Sequence, residues 1–97
     1  MSENELREKL AAIEHERWAD WQRYMHSLCT RNEDGSLTIP AASVAHWERQ
    51  IATPYAELTA REQASDMDQV DRYWHLIAGE WRQLREFYQL PEQAGRR

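Results

Sequence analysis

Cysteine and phenylalanine each occur once in this chain, and glycine and proline three times each. A lone Cys29 leaves no internal disulfide, so the fold must hold by packing alone, and a reducing cytoplasm is the expected setting. Glycines at 35, 79 and 95 supply no glycine-rich loop of the kind that cradles phosphates. Basic runs are missing until Arg96-Arg97, and 12 Lys+Arg against 17 Asp+Glu give a net charge of −5. That balance argues against non-specific binding of a nucleic-acid duplex, which rests on dense positive charge along the phosphate track. No apolar run approaches membrane length, and the start, Met1-Ser-Glu-Asn-Glu, is acidic where a secretion signal is basic. The expectation is one cytoplasmic domain over 1–97, in the host cytoplasm for a viral protein, with a modest core over 3–90 and a flexible tail over 91–97.

What the chain has in plenty is tryptophan: Trp18, Trp21, Trp47, Trp74 and Trp81 in 97 residues. All five fall in helical registers, which places most of them in the core and leaves one or two as recognition surface. The first helix is expected from about Glu3 to Leu28, with Ser2 or Asn4 as its cap and Glu3 and Glu5 suiting its positive start. Asp34-Gly35 signals a turn, and Ser36-Leu-Thr-Ile39 after it alternates like a short strand, so residues 30–39 should hold a small hairpin. Pro40 opens a second helix, docked by Val44, Trp47 and Ile51 and ended at Thr53-Pro54. Thr59-Ala-Arg-Glu62 is a capping box that starts a third helix. Along it Met67, Val70, Trp74, Ile77, Trp81, Leu84 and Tyr88 alternate three- and four-residue steps, a sustained heptad seam closed by Leu90-Pro91. Gly79 inside that seam marks a possible kink or break. The fold class is mostly α: a single small domain of three to four helices with a short extended segment. Seven seam residues exceed what one partner helix of similar length needs, which favours a homodimer; a monomeric bundle is the alternative.

The first helix carries an inconsistency. Centred on Leu10 and stepped 100° per residue, its apolar face holds Leu6, Ile13, Trp21, Tyr24, Met25 and Leu28 within roughly 60°. Glu14 and Arg17 fall on the same face, with Trp18 at its edge and His15 just outside. An inward carboxylate and guanidinium are costly unless paired with each other or with a ligand. Beside two indoles they form either a pocket for a planar, charged small molecule or a structural ion pair covered by core tryptophans. Both readings stay open.

Other chemistries find little support. His15, His26, His46 and His75 have no metal-ligand spacing, and His15-Glu16 lacks a second histidine four residues on, where Ala19 stands. Cys29 and the serines lack the strained turn of a nucleophile. Glu62, Asp66, Asp68 and Asp71 gather near the third helix start, where acids serve the helix dipole. Asp66, one residue before the seam, is the one that could reach a ligand hydroxyl or Arg17. No catalytic residue, metal or cofactor is assigned.

Three segments carry a resemblance: Leu10-Ala-Ala-Ile-Glu14-His15-Glu16-Arg17-Trp18, then Thr53-Pro54-Tyr55-Ala-Glu-Leu58, then Glu62-Gln-Ala-Ser-Asp66-Met-Asp-Gln-Val70. In order and spacing they resemble the RyR domain, the small repeat named for the ryanodine receptor and found singly in bacterial and phage proteins. The likeness spans roughly residues 6 to 77. Gln63 and Met67 stand where that pattern has Lys and Arg, and its Gly-Trp-x-Tyr-Gly segment is replaced by Tyr24-Met-His-Ser-Leu-Cys-Thr30. The resemblance implies ligand binding without catalysis, at a site where tryptophans from two repeats face an adenine base. Trp18 would be the stacking residue, and a homodimer would present it twice. The expected ligand-binding set is Glu14, His15, Arg17, Trp18, Trp21, Tyr55 and Asp66. The expected ligand is a nucleotide or nucleotide-derived signal, which the protein senses or, in a phage, sequesters from host defence. A protein-binding adaptor or inhibitor using the tryptophan-rich face is the alternative.

Overall fold

A computed structural model describes residues 1–89; the predicted helix stop at Leu90-Pro91 and the tail to Arg97 lie outside them. Helix α1 spans Glu3–Leu28, β1 Thr30–Arg31, β2 Leu37–Thr38, α2 Ala41–Ile51 and α3 Ala60–Phe87, with a 3-10 turn at Tyr55–Glu57 between the last two. The described residues are mostly helical, with three helices and one two-strand hairpin, as the residue pattern predicts.

Local chemistry accounts for most boundaries. Ser2 caps α1, its Oγ accepting the Glu5 N–H at 3.1 Å, and Glu3 and Glu5 lie in the first turn. At the other end Cys29 turns extended and its thiol donates to the Met25 carbonyl. The hairpin pairs Thr30 with Thr38 and Arg31 with Leu37. Gly35 turns it at φ +86°, a conformation that side chains disfavour, while Asp34 accepts from the Ser36 N–H at 2.9 Å. Thr59 and Glu62 close a reciprocal capping box at the head of α3. Gly79 neither kinks nor breaks α3, which runs unbroken for 28 residues. One glycine costs a helix interior only about 1 kcal/mol, which its neighbours outweigh.

The two long helices run antiparallel. Asp20 of α1 meets Arg72 of α3 (Oδ2 to Nη2 2.9 Å), while Tyr24, further along α1, borders a cleft with Thr59 and Glu62 at the start of α3. Between them Leu6, Leu10 and Ile13 of α1 and Val70, Tyr73, Ile77 and Trp81 of α3 are half-buried. The α2 helix docks through Val44 and Trp47, both half-buried, and Trp47 meets Trp21 edge-on with ring centroids 5.8 Å apart. Ile51, expected to join that stripe, stays 83% exposed, because the end of α2 only borders the cleft.

No described residue is fully buried. The modest core expected from the sequence is therefore a set of half-covered contacts within this chain. The shape agrees: 61 × 31 × 16 Å, with a radius of gyration of 18.7 Å, where a compact chain of this length has about 12 Å. The Trp81 indole N–H is enclosed and has no acceptor among the described residues.

Candidate functional site

The docking of α2 against α1 and the head of α3 leaves an open cleft of about 990 Å³. Its aromatic wall is Trp21 and Tyr24 of α1 with Trp47 of α2; Trp21 and Tyr24 are tilted rings with centroids 5.6 Å apart. Its polar wall carries four guanidinium groups, from Arg17, Arg49, Arg61 and Arg72, facing the carboxylates of Asp20, Glu62 and Asp66. Arg61 and Arg72 are eleven residues apart, three turns of helix, so they share one face of α3.

Ion pairs tie these walls together. Arg49 reaches across from α2 to Glu62 (Nη2 to Oε2 2.7 Å), and the same carboxylate accepts the Thr59 N–H at 3.1 Å. Arg49, then the Thr59 backbone, hold the Glu62 carboxyl down from 4.5 to about 2. One side chain thus caps α3 and fastens α2 to it. Asp20 accepts from Arg23 on its own helix and from Arg72 across the interface, and both bonds lower its carboxyl below the usual range, Arg23 the more. A guanidinium group has five N–H donors, so Arg49 and Arg72, each paired through Nη2 alone, keep donors for an anion. Arg61 makes no ion pair among the described residues.

The predicted site residues divide. Arg17, Trp21 and Asp66 line the cleft; Glu14, His15, Trp18 and Tyr55 do not. Glu14 and Arg17 pair with each other, Arg17 donating from Nε at 3.1 Å and from Nη2 at 2.8 Å to Glu14 Oε2. The bond lowers the Glu14 carboxyl and raises the Arg17 guanidinium. Both side chains remain nearly half exposed, so the cost of an inward charge, expected from the helical wheel, does not arise. The wheel places a residue on a face, but contact with the other helices decides how much water that face keeps. Asp66 lines the same cleft as Arg17 without an ion pair to it. Trp18 is 55% exposed and stacks on His15, with centroids 5.9 Å apart, away from the cleft. Tyr55 offers its carbonyl to Gln63 Nε2 at 2.9 Å, which fixes the α2–α3 connection.

Arg49, Arg61, Arg72 and Tyr24 were not anticipated as site residues, and Trp47 was read only as a docking residue. The Arg61–Arg72 spacing was a readable signal; the approach of α2 was not, because it depends on the loop between α2 and α3. Among the described residues no three His, Cys, Asp or Glu side chains group in a way that could hold a metal ion. No helix among them is long and apolar enough to cross a membrane. No family model, curated protein or solved structure matches this chain.

Proposed function

We propose that this chain is a non-enzymatic binding module that takes a nucleotide or nucleotide-derived anion in the α1–α2–α3 cleft. One observation carries the reading: an indole pair, Trp21 against Trp47, shares a single cleft with the arginines at 17, 49, 61 and 72. A base needs a flat polarizable surface, and stacking on an aromatic ring contributes about 1–3 kcal/mol. Phosphate and ribose need N–H donors, which guanidinium groups present in a planar fork. Asp66, which lines the same cleft, would accept from a sugar hydroxyl. The resemblance to the RyR domain points to the same ligand class, with the stacking role passing from Trp18 to Trp21 and Trp47. On that resemblance alone rests the extension that the module senses a signalling nucleotide or sequesters it.

Tryptophan fluorescence and calorimetry against adenine and guanine nucleotides, ADP-ribose forms and cyclic dinucleotides test the proposal. One class should bind, and Trp21→Ala should weaken it roughly 5- to 150-fold. Arg61→Ala, at an exposed residue, should weaken it without disturbing the fold, whereas Trp18→Ala should leave binding to the cleft of a single chain unchanged. Silence across the whole panel would overturn the reading and favour the protein-binding adaptor.

A further inference from the structure

Two residues along an α-helix turn it by 200°, so the edge of the α1–α3 pair opposite the Asp20–Arg72 bridge is the edge on which Trp18 and Trp74 emerge. Met67 and Trp81 lie seven residues either side of Trp74 and continue its line within roughly 20°. On this edge Trp18 is 55% exposed, Met67 51% and Trp74 45%. Three of the seven α3 seam residues, Val70, Ile77 and Trp81, are half-covered, while Met67, Trp74, Leu84 and Tyr88 stay exposed. Among the described residues α1 packs along α3 and α2 meets its head on the cleft side, and no helix covers the Trp74 edge.

The areas say how much is missing. A compact monomer of 11.6 kDa exposes about 5,800 Å², whereas this chain exposes 8099 Å². The surplus of about 2,300 Å² falls within what one subunit of an obligate dimer buries, about 1,000–2,500 Å². We infer that a second copy of this chain packs on the Trp18–Trp74 edge about a two-fold axis, forming a four-helix core that neither chain has alone. A second copy is the occupant because a chain with no fully buried residue among those described gains a core by pairing, and its own copies are always present with it. A two-fold contact is also self-complementary, bringing one patch onto itself. Beside Trp18, Glu14 and Arg17 neutralise each other, so no uncompensated charge from that pair opposes the approach. This inference is independent of the cleft, which opens on the Asp20–Arg72 side.

Sedimentation equilibrium and thermal unfolding of the whole chain, run from low to high concentration, test it. The expected mass is twice that of one chain, with a melting temperature that rises with concentration. Trp74→Glu should weaken self-association at least about 30-fold, whereas Arg61→Ala, on the cleft side, should leave it unchanged. If Trp74→Glu does not fold at all, the concentration dependence of the unaltered chain still decides. A folded single chain whose melting temperature is independent of concentration would overturn the inference, and would assign the edge to a different macromolecule.

Discussion

On one edge of the α1–α3 pair Asp20 meets Arg72, Arg49 of α2 reaches Glu62, and Trp47 closes against Trp21. On the opposite edge Trp18, Met67 and Trp74 stand about half in water. The first edge is rich in polar side chains and finds its partners inside the chain. The second carries Trp18, Met67 and Trp74, and no other helix of the described residues crosses it. Polar groups are satisfied by one well-aimed bond each, so a short helix such as α2, eleven residues long, suffices to close that side. Apolar surface is satisfied only by area, and α2 is too short to cover two edges. The same tryptophan-rich composition thus produces an open cleft where a third helix arrives and an exposed apolar edge where none does.

Several variants bear on that contrast. The largest effect should come from Trp47→Ala, which removes the main anchor of α2 and should cost about 3 kcal/mol in denaturant unfolding. A loss under about 1 kcal/mol would mean that the cleft edge is no better packed than its opposite. Acid should act next, and on the cleft edge above all. The Glu62 carboxyl is depressed in the folded chain, so its contribution is complete above about 4.5 and is lost as the pH falls through about 2. Glu14, Asp20 and Asp34 are shifted in the same direction. Unfolding midpoints measured between pH 6 and pH 2 should therefore fall, and Glu62→Gln should flatten part of that slope.

Smaller effects follow. Thr59→Ala removes the capping hydroxyl of α3 and should cost about 1 kcal/mol by the same unfolding measurement. Gly79→Ala should stabilise by about 0.5–1 kcal/mol, because a Cβ there meets nothing within 4 Å and helical glycine is entropically costly. Destabilisation instead would show that Gly79 meets a contact that the single chain does not make. Trp81→Phe removes an indole N–H that has no acceptor among the described residues and should be neutral, or stabilising by up to about 1 kcal/mol.

Signals confined to a few neighbouring residues were readable in advance. Ser2 and Thr59 as caps, the Asp34-Gly35 turn and the three-residue Glu14–Arg17 pair each depend on spacing that the chain itself enforces. Contacts between helices were not readable. Arg49–Glu62, Asp20–Arg72 and Trp21–Trp47 join residues brought together by the path of a loop, and the same side-chain types at the same helical phase would serve other partners equally well. Trp18 shows the limit most clearly. Its phase marks it as the edge of an apolar face, but whether that edge faces a ligand, a core or a second chain depends on where α2 lands.

A body 61 Å long and 16 Å thick also meets solvent drag out of proportion to its mass. Even a single copy would tumble slowly end over end and leave a gel-filtration column early, imitating a heavier, rounder particle. Pairing along the Trp18–Trp74 edge adds thickness rather than length, so doubling the mass would change the drag comparatively little. Elution position is therefore a poor witness to assembly for this chain. Light scattering and sedimentation equilibrium, which weigh a particle whatever its shape, separate one copy from two.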